Sequence, residues 1–305
     1  MQRSSRAPSR PAASGEDRQA LSTLLGTGTI LTWASAFPAI SFGLEHFTPG
    51  ELSFARFLVA SACFLVLIGL RVLKLPPLRL WPPVALLGAI GIAAYQLLLG
   101  YGMETVAAGA ASMLIALSPA VTAVLAAKRL GETISSRLLV SLLVALAGAV
   151  TVTLGAGQEI RFEPRALLIL GAVLATSVYF VWQKPLLKDM ESLGFTALSI
   201  IAGTVVLLPF GLTLPGKLLS AGPDQLLALV WLGVAPSFIG YILWNRALSL
   251  APASRTALLL YVQPVISTFI AWIWLGQVPT TFALIGGTVL LTGVIIGQSS
   301  PRAAR

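Results

Sequence analysis

Polar side chains are scarce in this chain, so those set inside its apolar runs are the first candidates for chemistry. Gln96 lies beside Tyr95 in mid-run, Asn245 beside Trp244 near the end of another run, and Gln263 directly before Pro264. Ser118 holds the same place before Pro119. Such groups are costly against acyl chains, and they suit a solute path lined by hydrogen-bonding atoms. A helix proline adds to that path by freeing the carbonyl one turn back as an acceptor. The competing role for Gln96 and Gln263 is an interhelical hydrogen bond of about 0.6 kcal/mol that only packs helices. Arg56 is the cation left inside an apolar run. It either attracts a carboxylate or snorkels to an interface and pairs with Glu51 or Glu45. Trp33, Tyr95, Tyr179 and Tyr261 sit deep in their runs, where they stack on apolar groups, embrace an ammonium group or simply pack. Trp182 and Trp244 complete the candidate lining set. Trp231, Trp272 and Trp274 lie near run ends and suit an interfacial belt.

The missing chemistry narrows the function. No Asp or Glu sits in mid-run, since Glu45, Glu51, Glu104 and Glu132 all fall near ends. The one histidine, His46, is at a loop edge and reads as solvated. Clustered acids, histidines or Ser–His pairs of a membrane-embedded enzyme are therefore absent from the pattern. No metal or other cofactor is expected. No Walker loop is present, which removes direct drive by ATP. No mid-run pair of cations is available for a phosphate ester. Proton exchange and facilitated diffusion both stay open, because no buried carboxylate or histidine marks a coupling site. Cys63, alone in an apolar run, reads as a small packed hydrophobe.

The elements that must position these residues are membrane spans. Of 305 residues 56% are hydrophobic and 10% charged, against about 25% charged in soluble domains. Ten runs are long enough to cross a bilayer: roughly 21–45, 51–73, 82–102, 106–127, 136–156, 165–184, 193–213, 225–246, 253–275 and 280–298. Residues 1–20, polar and basic, read as a disordered tail, and 299–305 as a second one. Ala34-Ser35-Ala36 resembles a signal-peptidase site, but the run continues through Leu44 and is long enough to span. With the N-terminal tail inside, 16 Lys and Arg fall on the cytoplasmic side and 3 outside. That asymmetry places both termini in the cytoplasm and explains a net charge of +9 without nucleic acid.

The stretch 107–150 recurs at 252–295 without a gap, shifted by 145, with 10 of 44 positions identical. Pro119 falls on Pro264, Leu130-Gly131 on Leu275-Gly276 and Gly148 on Gly293. Proline and glycine set kinks and close contacts, so their coincidence marks a true repeat. Five spans per copy, an odd number, insert the second copy upside down. The charges agree: Lys128-Arg129 becomes Ile273-Trp274, and Arg137 becomes Phe282. The expected fold is all-α integral membrane, ten helices in two inverted five-helix repeats at 21–156 and 165–298.

The chain resembles the EamA-type ten-span exporters of the drug/metabolite transporter superfamily. The likeness rests on Trp33-Ala34-Ser35-Ala36-Phe37-Pro38-Ala39-Ile40, Ala55-Arg56-Phe57, Tyr95-Gln96-Leu97-Leu98, Ala116-Leu117-Ser118-Pro119 and Leu130-Gly131-Glu132. It continues through Leu243-Trp244-Asn245 and Leu260-Tyr261-Val262-Gln263-Pro264-Val265. Gln277 departs from it, where the family usually has Glu after Leu-Gly. The resemblance implies a central cavity lined mainly by spans one, three, six and eight, with parts of four and nine. Spans four, five, nine and ten are implied as scaffold. It also implies export of small metabolites, often amino acids, across an inner membrane. The partners implied are a small-molecule substrate and the lipid bilayer, with a homodimer left open. A lipid-modifying enzyme and a non-transporting membrane partner are the alternatives, and an inverted repeat favours transport over both.

Overall fold

An apolar helix in lipid must satisfy its backbone internally, and the computed structural model is built that way. It describes residues 15–106, 108–154, 164–275 and 281–298, and every regular element among them is helical. In chain order these are α1 (Gly15–Leu44), α2 (Pro49–Gly69), α3 (Leu78–Met103), α4 (Ala108–Ile115), α5 (Ser118–Leu130) and α6 (Ser136–Leu154). They continue as α7 (Ala166–Asp189), α8 (Ser192–Gly211), α9 (Leu214–Ser220), α10 (Pro223–Leu250), α11 (253–275) and α12 (Thr281–Gln298). The expected tail at 1–14 and 299–305, and the Gly276-Gln277 turn, lie outside the described residues.

Among the described residues α1, α2, α3, α7, α8 and α10 are each long and apolar enough to cross a membrane. The other four expected segments are helical but shorter or interrupted. α6 and α12 carry the apolar stretches Ser136–Gly148 and Leu284–Gly293. The segment expected at 106–127 breaks into α4 and α5, and α11 tightens over Leu258–Val262. Both irregularities stand immediately before the repeat's prolines. Pro119 and Pro264 have no N–H to give the carbonyls of Ile115 and Leu260, so neither helix continues evenly through them.

Local signals fix the ends. Thr48 and Glu51 form a reciprocal cap at the start of α2, with the Thr48 hydroxyl accepting from Glu51 N at 3.3 Å and the Glu51 carboxylate from Thr48 N at 2.9 Å. Gly131 ends α5 at φ 68°, a left-handed turn that suits glycine.

The repeat extends beyond the stretch where sequence identity reveals it. A Cβ on Gly88 would sit 2.2 Å from the Ser199 carbonyl oxygen, so α3 lies directly on α8. Its counterpart at the 145 shift, Gly233, would meet Val59 at 2.6 Å, so α10 lies on α2. Each glycine adjoins a widened helical turn, Ala89–Ala94 and Gly233–Gly240. Such turns insert one residue into the helix and recur at functional sites. α6 and α12 pack together through small residues: Ser141 Oγ donates to Gly293 O at 2.8 Å, and Gly293 abuts the Ala145 backbone. The outer face is apolar. Leu24, Leu31, Leu65, Leu86, Leu174 and Leu227 are all more than half exposed, as a lipid-facing belt requires and a water-facing surface does not tolerate.

Candidate functional site

Around the widened turns the helices leave a central cavity of about 40 Å³. α1 contributes Trp33, Ala36, Phe37 and Ile40; α3 contributes Tyr95, Gln96 and Leu99. α7 gives Thr176 and Phe180, α10 gives Tyr241, and α2 gives Arg56. The proline breaks face it as well, through Ile115 and Ser118 on one side and Leu260 and Gln263 on the other. Ile115 and Leu260 are the residues whose carbonyls lose a helical donor to Pro119 and Pro264.

One wall is polar. Arg56 is buried, with Nε donating to Ser237 Oγ at 2.9 Å and Nη1 to Gln96 Oε1 at 3.4 Å. Its guanidinium carbon also lies 5.2 Å from the Phe57 ring centre. The Ser237 hydroxyl in turn donates a hydrogen bond to the Leu232 carbonyl at 2.7 Å. The expected alternative of an Arg56–Glu51 pair is not what forms. Glu51 turns instead to Thr48 and, at 2.6 Å, to the Thr213 hydroxyl. A second, smaller lobe of about 10 Å³ continues from Ile40, Arg56 and Gln96 past Leu44, Pro49, Ser53 and Gly100 toward one end of the bundle.

The facing wall is aromatic. Trp33 stacks on Phe180 with centroids 6.4 Å apart and planes 6° from parallel, and meets Tyr241 edge-on at 5.3 Å. Its indole N–H donates to Pro236 O at 3.0 Å, which holds the ring against α10. Trp244 backs both Trp33 and Phe180 at 5.2 and 4.9 Å.

The end opposite the second lobe is tied shut. Glu132, after the Leu130-Gly131 turn, accepts from Ala253 N at 2.9 Å, Ser254 N at 3.2 Å and Ser254 Oγ at 2.5 Å. A carboxylate there meets the positive end of α11. Lys184 donates to the Leu248 and Ala251 carbonyls where α10 ends. Ser22 on α1 donates to Ala247 O at 3.0 Å. Between these ties and the cavity, Thr122 Oγ1, both amide atoms of Gln183, Trp244 Nε1 and Tyr261 OH are buried without a partner among the described residues.

Of the residues singled out from sequence, Trp33, Arg56, Tyr95, Gln96, Ser118 and Gln263 come together on the cavity wall. Tyr179 and Asn245 stand behind it: Asn245 Nδ2 donates to Tyr179 OH at 3.2 Å and to Thr196 Oγ1 at 2.8 Å, joining α7, α8 and α10. Trp244 and Tyr261 are fully buried one layer away. Trp182 points outward, 37% exposed. His46 is not simply solvated; its Nε2 lies 2.9 Å from Lys217 O and holds the α1–α2 loop against α9. The Trp272 side chain lies outside the described residues. Tyr241, Phe180 and Thr176 line the cavity and were missed. A signal existed for Tyr241, which the 145 shift pairs with Gln96. Among the described residues no three His, Cys, Asp or Glu side chains converge as metal ligands.

A terminal-alkyne amino-acid exporter, so named as probable, from Streptantibioticus cattleyicolor is 38% identical over 269 residues, 88% of this chain and 90% of that one. An uncharacterised Bacillus subtilis transporter, YdfC, is 35% identical over 86% of each chain. A crystal structure of another protein superposes with a TM-score of 0.75 at 22% identity, over 90% of this chain and 95% of that one, and so shares the fold. The EamA-like transporter family matches twice, over residues 21–154 and 164–297. A lipid-facing bundle with a central cavity, matched along both halves, identifies this multi-pass membrane protein as a small-molecule transporter of the EamA-like family.

Proposed function

We propose that the chain exports small amphipathic metabolites of the amino-acid type across a bacterial inner membrane, by alternating access and without ATP. The observation that carries this reading is the cavity itself: one chamber, lined from both matched halves, pairing a polar wall with an aromatic one. The amino-acid class comes from the name of the Streptantibioticus relative. Ten membrane segments in two inverted repeats complete the reading, supported by the paired glycines, widened turns and prolines at the 145 shift. Inversion supplies two related states with access on opposite sides.

The charge asymmetry puts the Glu132–Lys184 end and both termini in the cytoplasm. The second lobe then leads outward, and the conformation described is closed inside. Cavity contacts are assigned to Trp33, Arg56, Tyr95, Gln96, Ser118 and Gln263, with Tyr179, Trp182, Trp244, Asn245 and Tyr261 supporting the path or acting in another state. A homodimer is retained as the oligomeric alternative.

Purified protein in liposomes tests the reading. Saturable counterflow of a labelled amino acid such as 2-aminopent-4-ynoate is expected. Lipid turnover without solute flux would overturn it in favour of a membrane enzyme. A reporter fused after Arg305 is expected to read cytoplasmic, and an external signal would overturn the orientation.

A further inference from the structure

Among the described residues Arg56 is the one ionised side chain on the cavity wall, and none of the other lining groups neutralises it. A guanidinium stays protonated at any physiological pH, so titration cannot relieve the charge. Its side-chain acceptors, Ser237 Oγ and Gln96 Oε1, are neutral oxygens that engage two of its five N–H donors. Among the described residues no carboxylate is in ion-pair contact with it. Glu51 is held by Thr48 and Thr213, and Glu132 by the start of α11. An uncompensated buried charge is strongly unfavourable. Here it sits where an anion entering the cavity can reach it.

We propose, on the reading of the chain as an exporter of amino-acid-type compounds, that Arg56 binds the substrate's carboxylate, and that the recognised unit is a carboxylate with an apolar tail rather than the zwitterion. Pro236 has no N–H to give the Leu232 carbonyl, and the Ser237 hydroxyl donates to that oxygen. That fixes the Ser237 proton and turns its lone pairs toward Arg56 Nε. Ser237 is therefore a positioning residue: it orients the guanidinium so that terminal N–H groups remain for a two-point contact with a carboxylate. The apolar tail has Phe37, Ile40, Leu99, Phe180 and Leu260 to lie against. An ammonium group finds neutral oxygens and the aromatic faces of Trp33, Phe180 and Tyr241, with no acid among the lining residues. A monoanion brings the chamber to zero net charge, whereas a zwitterion leaves it at one positive charge. The amino group is thus dispensable, and 2-hydroxy acids with the same tail belong to the substrate class.

The test uses the full-length chain and probes that share one side chain: 2-aminopent-4-ynoate, 2-hydroxypent-4-ynoate and but-3-ynylamine. Counterflow in liposomes is read beside the rise in unfolding temperature that each probe gives in detergent. Both acids are expected to exchange and to stabilise the protein, and the amine to do neither. Arg56→Gln is expected to weaken the acids' apparent affinity about a hundredfold. Arg56→Lys should restore part of it, since an ammonium keeps the charge but not the fork. Ser237→Ala should raise KM for the acids while leaving kcat in place. If the amine exchanges as well as the acids, the carboxylate site falls and the export reading stands. If no probe exchanges but the acids still stabilise the wild type and not Arg56→Gln, the site stands and the export reading falls. Absence of both flux and stabilisation removes both. Exchange of 2-aminopent-4-ynoate without 2-hydroxypent-4-ynoate would show that the zwitterion is what the site takes, and these wild-type comparisons decide the matter even where a variant fails to fold.

Discussion

The two halves of this chain share a skeleton and differ in chemistry. At a shift of 145 residues, glycine meets glycine at 88 and 233, a widened turn meets a widened turn, and Pro119 meets Pro264. The side chains that these features deliver to the cavity do not match. Gln96 is paired with Tyr241 and Ser118 with Gln263, and the same shift carries Arg56 to Ile201. The lesson is that backbone irregularity builds the chamber symmetrically, while unequal side chains give it a polar wall and an aromatic one. A repeat identical in its chemistry would line both walls alike and could not orient an asymmetric solute.

The strongest test of the shared skeleton is steric. Gly88→Leu and Gly233→Leu are each expected to destabilise the protein by about 3 kcal/mol, since the atoms in the way include the backbone carbonyls of Ser199 and Arg56. Unfolding temperature in detergent checks this, and a single tolerated substitution would break the symmetry. The chemical difference is tested next. Gln96→Ala is expected to cut flux about tenfold, worth about 1.4 kcal/mol, by releasing Arg56 Nη1. Gln263→Ala should also reduce flux more than it reduces expression, and Ser118→Ala, which removes a hydroxyl without a partner among the described residues, should be milder. Equal losses of flux and expression would make these residues structural. The smallest effect is expected at the tie between halves. Glu132→Gln keeps an acceptor for Ala253 and Ser254 but loses its charge, a change of about 1 kcal/mol. Amide hydrogen exchange at Ala253 and Ser254 should accelerate about fivefold, and unchanged exchange would mean the carboxylate is not what closes that end.

Much of the wall was legible in the sequence because polar atoms in apolar runs need a reason to be there. Trp33, Arg56, Tyr95, Gln96, Ser118 and Gln263 were all found that way. The choice between neighbours was not legible. Tyr179 was favoured and Phe180 lines the chamber; Trp182 was placed in the lining set and faces outward. In a soluble helix the apolar stripe marks the buried face, but here the lipid face and the interior are both apolar, so periodicity does not give the rotation. The widened turns at Ala89–Ala94 and Gly233–Gly240 rotate the following residues further, and no residue type announces them.

Composition and the spacing of proline and glycine by themselves determined that this chain lives in lipid and is built twice, because those constraints act on the backbone and are written locally. Only the packed helices decided that Arg56 meets Ser237 and Gln96 rather than Glu51, and that Glu132 closes on the start of α11. Those partners come from elements 40 to 181 residues apart, and in a low-dielectric interior it is the neighbours brought by packing, not the sequence around a charge, that set what the charge can do.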